Sequence, residues 1–138
     1  MDEAVAALFG AKTIAVVGLD TRNSRPAYEV AEYLQSVGYR IVPVPVQRPA
    51  EEVLGERAYP SLRDIPEHID LVDVFVRSEH TDAIVDDAIA IGAGAVWLQI
   101  GVRNDAAIER ARAAGLAATQ DRCTKIEHGR HTAGPASR

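Results

Sequence analysis

Nearly unbroken apolar runs alternate along this chain with longer stretches whose apolar residues recur every three to four positions. Ile14 to Val17, Ile41 to Val44, Leu71 to Val76 and Ala95 to Ile100 show no regular polar alternation, as strands do when helices cover both faces of a parallel sheet. Between them, Val30, Ala31, Leu34 and Val37 share one helical face, and so do Ile84, Val85, Ala88 and Ile91. The pattern predicts strands at 13–17, 40–44, 71–76, 95–100 and 116–119. It predicts helices at 27–37, 81–91 and 104–114, and a short N-terminal helix at 2–9 that packs Val5, Leu8 and Phe9 on the sheet.

Turn chemistry agrees with these boundaries. Pro26 suits a first helical position, Gly38 a left-handed cap and Asn104 an N-cap, while Gly92 and Gly94 close the helix before the fourth strand and Gly115 precedes the fifth. After the second strand, V-P-V-Q-R-P is forced into an extended loop by its prolines. Residues 51–54 are expected as one helical turn before Gly55, 59–66 as a turn or short strand with a further single turn, and 121–128 as a closing turn. Residues 131–138 lack apolar periodicity and are expected as a disordered tail. The expectation is therefore one α/β domain over residues 1–130. Its sheet is doubly wound, mostly parallel, five-stranded and Rossmann-like, with helices on both faces and ligands at the carboxyl ends of the strands.

Composition narrows the partners. The chain has 138 residues, 47% hydrophobic, and a formal charge of −5 with dispersed basic residues, so it lacks the electrostatic footprint of a nucleic-acid binder. Met1-Asp2-Glu3 is an acidic start, unlike a signal peptide, and no apolar run is long enough to span a bilayer; a cytoplasmic protein without membrane association is expected. One cysteine, Cys123, excludes an intramolecular disulfide, and His68, His80, His128 and His131 form no metal-ligand spacing. No metal site is expected.

The candidate chemistry lies where K-T-I-A-V-V-G ends the first strand and T-R-N-S-R-P leads into a helix. Helix N-termini carry unpaired amides and the positive end of the helix dipole, which suits phosphate. Only Gly18 of the three-glycine dinucleotide fingerprint is present, and no acidic residue ends the second strand to accept a ribose hydroxyl. Pro43, Pro45, Gln47 and Arg48 stand there instead. A cation in that loop suits a phosphorylated ribose, as in NADP or coenzyme A, and disfavours NAD.

V-V-G-L followed by R-P, G-Y-R-I-V-P-V, E-E-V-L-G-E, Y-P-S-L-R-D-I-P, W-L-Q-I-G-V and D-R-C-T-K-I-E-H together resemble the small stand-alone CoA-binding proteins. Those are similar in turn to the nucleotide-binding domain of the succinyl-CoA synthetase alpha subunit. The resemblance runs from Lys12 to His128. It implies coenzyme A or acyl-CoA as the cofactor, with Gly18 and Leu19 on the pyrophosphate and Arg25 nearby. It further implies that Pro45, Val46 and Arg48 flank the adenosine and its 3′-phosphate, and that Val76, Arg77, Gln99 and Gly101 line the adenine and pantetheine path. Where this family commonly reads V-N-P after the second strand, the chain reads V-P-V, and the asparagine contact is lost.

The expected function is binding of CoA or acyl-CoA without a complete catalytic apparatus, and no catalytic residue is assigned. Two alternatives stand beside it: a small NADP-dependent or other nucleotide-using enzyme on the same fold, and a regulatory subunit that senses acyl-CoA through a protein partner. Besides the small-molecule nucleotide ligand, a protein partner or a homodimer is the assembly considered. Asp20, Glu79 and His80 are the acid–base candidates, and none has an obvious partner in the sequence. Arg77 can instead pair with Glu79, Trp97 is expected in the core with its indole N–H satisfied, and Gln99 lies on the same strand face as Trp97. Cys123 is expected as a small buried hydrophobe, with Lys125, Glu127 and His128 making surface contacts.

Overall fold

The apolar runs become strands in the expected order. In a computed structural model of the chain, which describes residues 1–132, the elements are α1 (Glu3–Gly10), β1 (Thr13–Val17), α2 (Pro26–Ser36), β2 (Arg40–Val44), β3 (Glu52–Val53), β4 (Glu56–Arg57), β5 (Leu71–Val74), α3 (Thr81–Ala90), β6 (Ala95–Leu98), α4 (Asp105–Ala113), β7 (Ala117–Thr119) and α5 (Thr124–Thr132). The main sheet has five parallel strands in the order β2-β1-β5-β6-β7. This is a Rossmann-like α/β fold. The chain moves outward from β1 to β2 and then returns past β1 to β5, so the connections diverge between β1 and β5, where such sheets open a crevice at the strand ends.

Alternation along each strand sorts the core into two layers. Ala15, Val17, Val72, Val74, Val96 and Leu98 pack with the buried faces of α3 and α4. On the other side, Ile14, Val16, Leu71 and Trp97 pack with residues of α1 and α2. Asp73, in register with Val16 and Trp97, belongs to this second face. The Trp97 indole donates to the Arg122 carbonyl at 2.9 Å, and the Arg122 guanidinium stands 5.2 Å from the ring centroid.

Local side chains set the ends of the elements. Asp2 Oδ1 accepts from the Val5 amide at 2.9 Å to cap α1, and Asn104 Oδ1 accepts from Ala107 at 3.1 Å to cap α4. Asp70 accepts from the amides of Lys12 and Thr13 at 2.9 and 3.0 Å, tying the start of β1 to that of β5.

Three expectations need correction. Residues 51–54 form no helical turn: Leu54 and Gly55 both have positive φ, of 55° and 76°, and turn an antiparallel hairpin between β3 and β4. The strands expected at 71–76 and 95–100 end at Val74 and Leu98: Phe75 and Gln99 still donate to the Val17 and Val74 carbonyls at 2.8 and 3.2 Å, but the pairing stops there and residues 75, 76, 99 and 100 line a cavity edge. The closing turn is a full helix, α5, that runs through His131 and Thr132; the rest of the expected tail, 133–138, lies outside the described residues.

Candidate functional site

At the carboxyl ends of the strands, over the divergence between β1 and β5, lies an open cavity of about 630 Å³, within the range of small-molecule sites. Its walls come from the loop after β1, the first turns of α2, and the segments that follow β5, β6 and β7. Gly18 holds φ at +100°, and a Cβ there would stand 2.5 Å from the Phe75 carbonyl oxygen. Only glycine lets these two strand ends approach so closely.

The cationic wall begins at Arg22. Its guanidinium grips Asp20 in a fork, Nε to Oδ1 at 2.9 Å and Nη2 to Oδ2 at 2.6 Å, while the Arg22 amide donates to the same Oδ1 at 3.0 Å. Asp20 is buried, and the hydrogen bond from Arg22 holds its carboxyl below the ordinary range. Asp20 is thus partnered, contrary to the sequence expectation, and it orients a cation rather than standing ready as a base. Arg22 Nη2 also comes within 3.5 Å of Gln47 Oε1, and both residues line the cavity.

Arg25 occupies the N-cap position of α2 and caps nothing with its side chain, and Pro26 follows it. Pro26 and Ala27 of the first turn line the cavity; Pro26 has no amide hydrogen, the amides of Tyr28 and Glu29 donate to the Arg25 carbonyl at 3.1 and 3.3 Å, and the Ala27 amide is left without a protein partner among the described residues. Arg77 completes a set of three guanidinium-bearing residues on the wall. Neither Arg25 nor Arg77 forms a salt bridge among the described residues, so the alternative Arg77–Glu79 pair is not made. Glu79 and His80 lie in a short turn before α3 and do not line the cavity.

Of the residues singled out from the sequence, Gly18, Arg25, Val76, Arg77, Gln99 and Gly101 come together on this wall. Leu19 has its side chain in the α1–α2 core. Pro45, Val46 and Arg48 lie outside the lining, and Gln47 is the residue of that loop on the wall. Arg48 is close enough for its charge to lower the Asp20 carboxyl further. Sequence reasoning missed Arg22, Phe75, Ile100 and Val102; the D-T-R spacing that lets Arg22 turn back onto Asp20 was the available signal for the first.

Gln99 makes a buried hydrogen-bonded group with Asp73 and Thr124. Burial drives the Asp73 carboxyl up to about 7 despite both hydrogen bonds. Cys123 packs against the α1–α2 core as a hydrophobe but is only half-buried, its exposed side on the cavity wall. Glu127 and His128 are buried rather than superficial. Glu127 accepts from Arg122 and Arg130 at 3.2 Å each, and His128 stacks on Phe9 with centroids 4.9 Å apart while its Nδ1 meets the Tyr33 hydroxyl at 2.7 Å. Both serve to fasten α5. Among the described residues no group of three His, Cys, Asp or Glu side chains is placed to hold a metal ion.

Residues 12–129 match the family model described as CoA binding domain. The chain belongs to that family. An uncharacterized protein of Bacillus subtilis, YneT, is 36% identical to this CoA-binding domain over 117 residues, covering 85% of each chain. The solved structure of cell-free ID.343 from Thermus thermophilus is 39% identical and superposes with a TM-score of 0.86, covering 93% of this chain and 97% of that one. An ADP-forming acetate–CoA ligase of Archaeoglobus fulgidus is 27% identical over 95 residues, 68% of this chain but 14% of the ligase. No helix among the described residues is long and apolar enough to cross a membrane.

Proposed function

We propose that the protein binds coenzyme A, free or acylated, in the cavity over β1 and β5 and carries out no chemistry on it. The observation that carries this reading is the convergence of Gly18, the unpartnered Ala27 amide at the start of α2 and the guanidinium-bearing residues Arg22, Arg25 and Arg77 on one wall. Backbone amides and guanidinium groups supply short charge-assisted hydrogen bonds to a diphosphate. Val76, Ile100, Val102 and Cys123, which line the same cavity, offer apolar surface to an extended arm. Arg48, beyond the lining, stands on the loop that would flank a 3′-phosphate.

The non-catalytic reading is supported by the state of the acidic groups. Asp20 is neutralised by Arg22, and Asp73 is enclosed behind Gln99 and Thr124. Among the described residues Asp20 has no hydroxyl or thiol partner, and the Thr124 hydroxyl that Asp73 accepts is, like Asp73, fully buried and outside the cavity lining, away from any ligand that covalent or general-base chemistry would act on. The match to a ligase that is several times longer fits a recognition unit that works in a larger enzyme and also alone.

Isothermal titration with CoA, dephospho-CoA and NADP tests the proposal. CoA is expected to bind with micromolar affinity, dephospho-CoA more weakly, and NADP not measurably. Preference for NADP, or no heat with CoA, would overturn it.

A further inference from the structure

Asp73 sits fully buried in β5, flanked in register by Val16 of β1 and Trp97 of β6. Ionised, as it is above about pH 7, the Asp73 carboxylate only accepts hydrogen bonds, and in this form it closes a ring with Gln99 and Thr124. Its Oδ1 receives Nε2 of Gln99, its Oδ2 receives the Thr124 hydroxyl at 2.8 Å, and the same Nε2 reaches Thr124 Oγ1 at 3.1 Å. Both amide hydrogens and the hydroxyl hydrogen are used within this ring. The amide of Gln99 therefore has one orientation, nitrogen inward and oxygen outward. Gln99 is 4% exposed, lines the cavity, and its Oε1 has no protein partner and is not sealed from solvent among the described residues.

We propose that Asp73 and Thr124 are positioning residues that lock Gln99 with its carbonyl oxygen turned into the cavity, so that this wall selects a ligand N–H or O–H donor and rejects an acceptor. The lock explains why a carboxylate occupies an otherwise apolar strand: a neutral or apolar residue at 73 leaves the Gln99 amide free to present either end. The identity of the donor rests on the CoA reading. Arg22 and Arg25 mark the phosphate side of the cavity near β1 and α2, whereas Gln99 stands at the end of β6 beside Ile100 and Val102. An amide N–H of the pantetheine arm is the donor that would reach it.

The charged and titratable groups of α5, the element that carries Thr124, are engaged elsewhere. Lys125 pairs with Glu29, Glu127 with Arg122 and Arg130, and His128 with Tyr33. They leave the amide orientation to Asp73 and Thr124.

The test has a ligand-free arm and a binding arm. In the side-chain amide NMR spectrum of the unliganded protein, the Gln99 Nε2 hydrogens are expected to exchange slowly and to show cross-relaxation to the Thr124 side chain, and the slow exchange to be lost in Asp73→Asn. Fast exchange in the wild-type protein would overturn the lock whatever the ligand is. In the binding arm, CoA is compared with adenosine 3′,5′-bisphosphate, which lacks the arm. Gln99→Met is expected to lose about fivefold in CoA affinity, the worth of one hydrogen bond, and Asp73→Asn somewhat less, with bisphosphate affinity unchanged in both. Equal losses for the two ligands, or none for CoA, would overturn the proposal. Failure of the wild-type protein to bind either ligand would instead overturn the CoA reading on which the donor assignment rests.

Discussion

A Cβ on Gly18 would lie 2.5 Å from the carbonyl oxygen of Phe75, so the ends of β1 and β5 meet with no side chain between them. That contact sets the floor of the cavity at the point where the sheet connections diverge. Gly18→Ala brings a side chain into a left-handed backbone conformation and against a carbonyl. It is expected to cost at least ~2 kcal/mol, read as a fall in thermal midpoint, and to weaken CoA binding at least tenfold. A variant with wild-type melting and binding would show that the close approach is incidental.

Asp20 and Arg22 act as a pair. Arg22→Ala is expected to lower CoA affinity by about tenfold, consistent with a charge-assisted hydrogen bond of ~1.5 kcal/mol or more, and to flatten the salt dependence of binding. Asp20→Asn keeps the cation and loosens its aim, so a smaller loss with the salt dependence preserved is expected. Titrations at two ionic strengths separate the two effects.

Asp73 makes stability depend on pH in an unusual direction. Its carboxyl titrates at about 7 in the folded protein against an ordinary value of 3.8. Between those values the folded chain holds a proton that the unfolded chain has released, so this group's contribution to stability falls as pH rises from about 4 to 7 and stays low above that. Asp73→Asn lacks the group. Urea denaturation of both proteins from pH 5 to 8 is expected to show the variant gaining on the wild type as pH rises; parallel profiles would contradict the assignment.

His128 works in the opposite sense. Burial holds its imidazole below the ordinary 6.5, so beneath that pH the unfolded chain takes up protons that the folded one resists, and stability is lost on acidification. His128→Phe preserves a ring against Phe9 and removes the titration. Its melting point is expected to drop less than the wild type's between pH 7 and pH 5.

The sequence revealed the sheet and half of the cavity, for a definable reason. β1 and β2 fall on the expected residues because an apolar run bounded by turn signals leaves little freedom in placing a buried parallel strand. Gly18, Arg25 and Arg77 were legible from their place at strand ends and a helix start. The hairpin of β3 and β4 was not, because its turn uses Leu54 with positive φ, a conformation that leucine does not advertise. The length of α5 escaped for another reason: Glu127 and His128 are buried by ion pairs and ring stacking rather than by an apolar stripe. Asp73 was hidden inside an apolar strand, where only its three-dimensional partners Gln99 and Thr124 reveal its task.

The central claim, that CoA occupies the crevice over β1 and β5, is tested most directly by mapping amide chemical shifts during titration with CoA. The largest changes are expected at Gly18, Arg22, Ala27, Val76 and Gly101. Changes gathered instead at the hollow between Asp2, Arg112 and Arg122 beside the edge strand β7, or no changes at saturating CoA, would contradict it.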